Sequence, residues 1–178
     1  MKKIFFLVYS VFIFLFFLGS PVFAENATSS ATIDYQLPYP GILADNPLYN
    51  LKTLRDRIID FFISDPLKKS EFDLLQADKR LSVGIALFDK GKQDLSETTI
   101  SKGENYFEEA LKNAKVVKGQ GGELDAGFLT NLEQSSRKHE QVVKDLAAKS
   151  SGNVKKGFEK TLQRIEGFKK SAIELKPS

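Results

Sequence analysis

The 178-residue chain contains no cysteine, one histidine and one methionine, the initiator Met1. Without cysteine there can be no disulfide framework, so the fold must rest on its core alone. A lipoprotein anchor is excluded too, since that modification needs a cysteine just after the signal. Zinc needs more nitrogen or sulfur ligands than His139 alone can supply. Di-iron bundles use paired Glu-x-x-His motifs, but here Ser136 stands three residues before the only histidine. A haem bundle would want a second histidine or a usable methionine. Hydrolytic machinery is missing in the same way, for the chain has no Gly-x-Ser-x-Gly elbow. The glycine-rich run Gly119-Gln120-Gly121-Gly122 lacks the lysine and the preceding strand of a phosphate-binding loop. No cofactor and no metal are expected, and acidic pairs such as Glu108-Glu109 diverge on a helix and read as a solvated face.

Charge excess is also lacking. The formal net charge is +3, from 26 basic and 23 acidic residues. Lys2 and Lys3 belong to a segment expected to be removed, which leaves 24 basic residues and a net charge of +1. Such balance argues against nucleic acid as a partner. Long apolar runs are confined to the first residues. There, Lys2 and Lys3 precede an apolar stretch from Ile4 to Leu18, and Gly19-Ser20-Pro21 breaks it before Val22-Phe23-Ala24. About 15 apolar residues are short for a membrane span, and the small residues that follow suit a signal peptidase. The expectation is a signal peptide over 1–24, cleaved after Ala24, and a secreted or extracytoplasmic protein with no membrane span after cleavage. An uncleaved N-terminal anchor is the alternative. The composition suggests a bacterial source.

What remains is organised by helical periodicity, with no sustained alternation that would call for a sheet. Residues 25–33 are small and polar, a flexible leader. Asp34 to Asn46 forms an extended arm and turn, because Pro38 and Pro40 hold Leu37 and Tyr39 in extended geometry. Tyr39-Pro40-Gly41-Ile42 suits a type II turn, with glycine at the position needing positive φ. Asn46-Pro47 then supplies an N-cap and a first-turn proline.

A first helix carries Leu48, Leu51, Leu54, Ile58 and Phe62 on one face. The short link Ser64-Asp65-Pro66 should fold a second helix back against it. That second helix, from about Pro66 to Lys90, carries Leu67, Leu74, Leu81, Ile85 and Phe88 and ends at Gly91. A third begins near Asp94, whose spacing to Glu97 resembles a capping box. The fourth carries Leu124, Phe128, Leu132, His139, Val142 and Leu146. The fifth runs from Val154 to Leu175 before Pro177. The expected fold is all-α, an antiparallel bundle of about five helices over 47–176, preceded by the Pro-rich arm. Gly84 and Gly103 fall on buried stripes, which predicts close approach of a neighbouring helix.

The segments "LPYPGILADNPLYNLKTLRDRI" and "DPLKKSEFDLLQADKRL" resemble an uncharacterised domain-of-unknown-function family of exported bacterial helical proteins. The resemblance rests on the Leu-Pro-Tyr-Pro-Gly turn at 37–41 and the Asn-Pro-Leu-Tyr helix start at 46–49, and it spans Asp34 to about Lys92. Ala44 departs from the pattern, where the resemblance places a proline. It implies export and a helical fold, and no activity.

Two sets of residues stand out. Leu37, Pro38, Tyr39, Pro40, Gly41, Ile42 and Tyr49 form a candidate arm for packing or interaction, too apolar to remain a solvated linker. Asp78 lies at the edge of an apolar stripe, with Arg55 and Arg57 as candidate partners in a structural ion pair across the first hairpin. His139, on an apolar stripe, is expected as a hydrogen-bonded core residue. The function expected is non-enzymatic: an interaction or structural module at the cell envelope, whose partner is an envelope protein or an anionic envelope surface. The alternative is a carrier of an apolar or lipid-like ligand between helices.

Overall fold

The computed structural model describes residues 33–176. The signal segment 1–24, nearly all of the leader and Pro177 lie outside the described residues. Five α-helices follow one another: α1 (Tyr49–Phe62), α2 (Pro66–Asp89), α3 (Gln93–Gly119), α4 (Ala126–Ala148) and α5 (Gly152–Glu174). No strand occurs among the described residues, so the fold is all-α. The chain from Ile33 onward forms one compact unit with its own core.

Local chemistry sets several helix ends. The Asp65 side chain accepts from the Lys68 backbone N–H at 2.9 Å, with Pro66 opening α2. Asp125 does the same for Phe128 at the start of α4. Each caps a donor that the first turn would otherwise leave unpaired. Gly91 (φ +76°) and Gly121 (φ +77°) turn the chain just beyond α2 and α3 in the left-handed region. Two expected starts differ. Asn46 accepts from the Leu48 N–H, but the helix proper begins at Tyr49. α3 begins at Gln93 without a side-chain cap, so Asp94 sits inside the first turn and no capping box forms.

Helices α2 to α5 make a four-sided bundle, with α2 against α3, α3 against α5, α5 against α4 and α4 against α2. Helix α3 runs antiparallel to α2. Ser70 Oγ donates to the Ala110 carbonyl at one end, and Ser96 Oγ to the Gly84 carbonyl at the other. Glycine permits that closeness. A methyl group at Gly84 would collide with the Ile100 side chain, and one at Gly103 would lie 2.9 Å from Arg80 Cβ. The core is filled by Leu81, Ile100, Phe107, Leu132, Phe158 and Ile165, all nearly sealed from solvent. Phe107 stacks on Phe168 with ring centroids 5.2 Å apart.

Helix α1 stands outside this arrangement. It runs antiparallel to α2, as two bonds at opposite ends show. Lys69 pairs with Asp60 at 3.0 Å near the link, and Arg80 donates to the Tyr49 hydroxyl at 3.1 Å at the far end. The hairpin forms, but its apolar stripe points the other way. Leu48, Leu51, Leu54, Ile58 and Phe62 are exposed, and the side turned toward α2 carries Asp56, Asp60 and Tyr49. The sequence periodicity locates the stripe; it does not say which way the helix is rolled.

Candidate functional site

A polar cluster sits at the centre of the bundle. His139, on α4, is fully buried, with Nδ1 2.9 Å from Glu104 Oε1 on α3 and Nε2 3.0 Å from Asp78 Oδ1 on α2. Ser135, one turn earlier on α4, donates to Asp78 Oδ1 at 2.6 Å. Tyr35, from the arm, donates to Asp78 Oδ2 at 2.6 Å. The Phe107 ring meets the imidazole edge-on, 5.2 Å between centroids. Burial of the imidazole disfavours its charged form, but Glu104 and Asp78 outweigh that and raise its pKa to about 9. The ring therefore stands as an imidazolium that donates from both nitrogens. Burial and the neighbouring Asp78 carboxylate hold the Tyr35 phenol well above its usual pKa.

The Ser135 proton goes to Asp78 and not to the imidazole, so no activated nucleophile is assembled. A doubly bonded, sealed imidazolium has no lone pair for a substrate. The arrangement works as a tie across α2, α3, α4 and the arm.

This replaces the ion pair expected for Asp78. Arg55, whose side chain is largely exposed, turns to its neighbour Asp56 at 2.7 Å, and Arg57 is exposed. Because α1 is rolled with its stripe outward, neither guanidinium meets Asp78. Glu104, Ser135 and Tyr35 were not singled out from the sequence. Glu104 offered a signal, for it sits on the α3 stripe between Ile100 and Phe107, where a carboxylate needs a partner.

A second polar group lies nearer the α1–α2 link. Asn113 donates to buried Asp73 at 3.1 Å. Burial, reinforced by nearby Asp60, raises the Asp73 pKa to about 7.

The arm divides in two. Tyr35 is bonded to Asp78, Leu37 packs against the core, and the Pro38 carbonyl accepts from Ser82 Oγ at 2.7 Å. Beyond Pro38 the chain leaves the bundle. Tyr39 is 84% exposed, and Gly41 (φ +66°) turns the chain back. Asp45 then accepts from Lys92 at 2.8 Å and pairs with Lys90 at 3.4 Å, fastening the far end of the arm to the α2–α3 turn. Tyr49 follows, turned inward onto Arg80.

Tyr39, Pro40, Gly41 and Ile42 therefore form a tip held at both ends. Together with Leu48 and Leu51 they line an open groove of about 520 Å³, with Lys52, Arg55 and Lys79 at its rim. The apolar surface continues along α1, where Leu51 is 64% exposed, Phe61 81% and Phe62 75%. Scattered exposed apolar residues are ordinary, and this face is set apart by being contiguous. Among the described residues no helix is long and apolar enough to cross a membrane.

No curated protein and no solved structure matches this chain. One family does match, over residues 41–153, well over half of the sequence and from the arm tip to the start of α5. The protein belongs to the family described as Domain of unknown function (DUF5667).

Proposed function

We propose that the protein is an exported, non-enzymatic interaction module of the cell envelope that works through the arm tip and the outward face of α1. The observation that carries this reading is the roll of α1. A 14-residue helix with its apolar stripe in solvent and an aspartate buried beneath it is built to meet something outside the chain. The sealed imidazolium supports the non-enzymatic part, since it holds no open group for a reaction. Export rests on the N-terminal sequence pattern, and it predicts that the protein recovered from producing cells begins at Glu25.

The test is photo-crosslinking in producing cells, with the probe at Phe61 or Tyr39 and a control probe at exposed Lys155. Adducts to envelope material from Phe61 and Tyr39, and none from Lys155, are expected. Equal labelling from all three positions, or none from Phe61, would overturn the reading. A carrier of an apolar or lipid-like ligand is the second reading, favoured by the groove beside the arm tip. It requires such a ligand to co-purify in stoichiometric amount.

A further inference from the structure

We infer that the outward face of α1 seats on the surface of an anionic lipid bilayer; the inference rests on reading that face as the interaction surface, and it names the partner. The charges decide it. Helix α1 holds two acids, and both are turned away from the exposed face. Asp56 is buried and answered by Lys52 and Arg55, and Asp60 is paired with Lys69. Every strongly exposed side chain from Leu54 to Phe62 is apolar or cationic. At 100° per residue, Arg57 falls at one edge of the exposed apolar arc and Arg55 within it, between Phe62 and Ile59. Lys79 of α2 extends the cationic border at the groove.

An exposed apolar face that carries cations and no exposed acid suits a helix lying in the plane of a membrane interface, where apolar burial and attraction to anionic headgroups add. A second copy of the chain is disfavoured by the same charges. A two-fold contact would gather Arg55 and Arg57 of both copies into one interface, with no exposed acid on the helix to answer them. The helix is too short to cross the bilayer, about 21 Å at 1.5 Å per residue.

The test uses the chain from Glu25 to Ser178, which contains the whole compact unit and lacks the N-terminal apolar run. Sedimentation with vesicles of phosphatidylglycerol and phosphatidylcholine is compared with phosphatidylcholine alone. Binding about tenfold or more tighter to the anionic vesicles is expected, weakening as salt is raised. Phe61→Ser with Phe62→Ser should abolish binding while leaving the melting temperature unchanged. Arg55→Gln with Arg57→Gln should remove the preference for anionic vesicles. Binding that survives the phenylalanine changes, or that ignores headgroup charge, overturns the inference. So does a dimer in light scattering that the phenylalanine changes dissociate. If vesicles are ignored but the Phe61 probe still joins an envelope protein, the lipid inference falls and the interaction reading stands. If the probe also finds nothing, both fall.

Discussion

His139 holds its proton between two carboxylates in a place water does not reach, and this makes stability depend on pH in a stated direction. Its folded pKa, about 9, lies above the ordinary histidine value of 6.5. A raised pKa means that the folded state binds the proton more tightly than the unfolded chain does. The contribution is therefore complete below about pH 6.5 and is lost as pH rises through 9. Asp73 has the same sign in a lower window, because its pKa rises from 3.8 to about 7. Urea denaturation at a series of pH values should show stability falling between pH 4 and pH 9. Asp73→Asn should flatten the lower part of that curve and leave the upper part in place. His139→Leu should cost about 3–5 kcal/mol at neutral pH, since it strands two buried carboxylates. A small cost, or a stability that rises with pH through this range, would contradict the assignment of the imidazolium.

At the scale of elements, the arm has two halves, and substitutions should separate them. Leu37→Ala removes a side chain packed on the core and should lower stability by about 1–3 kcal/mol. Tyr39→Ala should leave the melting temperature unchanged, because the ring is in solvent. Equal effects from the two changes would mean that the arm does not divide at Pro38. The sequence made the existence of the arm, the turn at Gly41 and the five helices legible, because proline, glycine and apolar spacing act locally. It also pointed to the close approaches at Gly84 and Gly103, where only a missing side chain fits a buried stripe. The roll of α1 was not legible. Its stripe obeys the same spacing as that of α2, and what holds it outward is a pair of side-chain bonds between the two helices, Arg80 to Tyr49 and Lys69 to Asp60, which spacing within one helix does not reveal. The partners of Asp78 escaped for the same reason. Tyr35 lies 43 residues before it and Ser135 lies 57 residues after, and periodicity says nothing about such distances.

For the whole molecule, the architecture separates a packed four-helix body from a helix held to it by polar side chains. Amide hydrogen exchange should register that separation. The amides of α1 should exchange well before those of α2 and α3, whose inward faces are buried and tightly apposed. Equal protection across α1 and α2 would show that α1 belongs to the same cooperative unit. The tie between Tyr35 and Asp78 has a further consequence, which concerns time. A ribosome makes Tyr35 early, but its docking site draws Asp78 from α2, Ser135 and His139 from α4 and Glu104 from α3. The arm cannot close onto its full seat until more than half of the chain beyond Tyr35 has emerged. Until then Tyr35 has no complete seat, and α4, the last helix to contribute to it, acts as the latch that ends that interval.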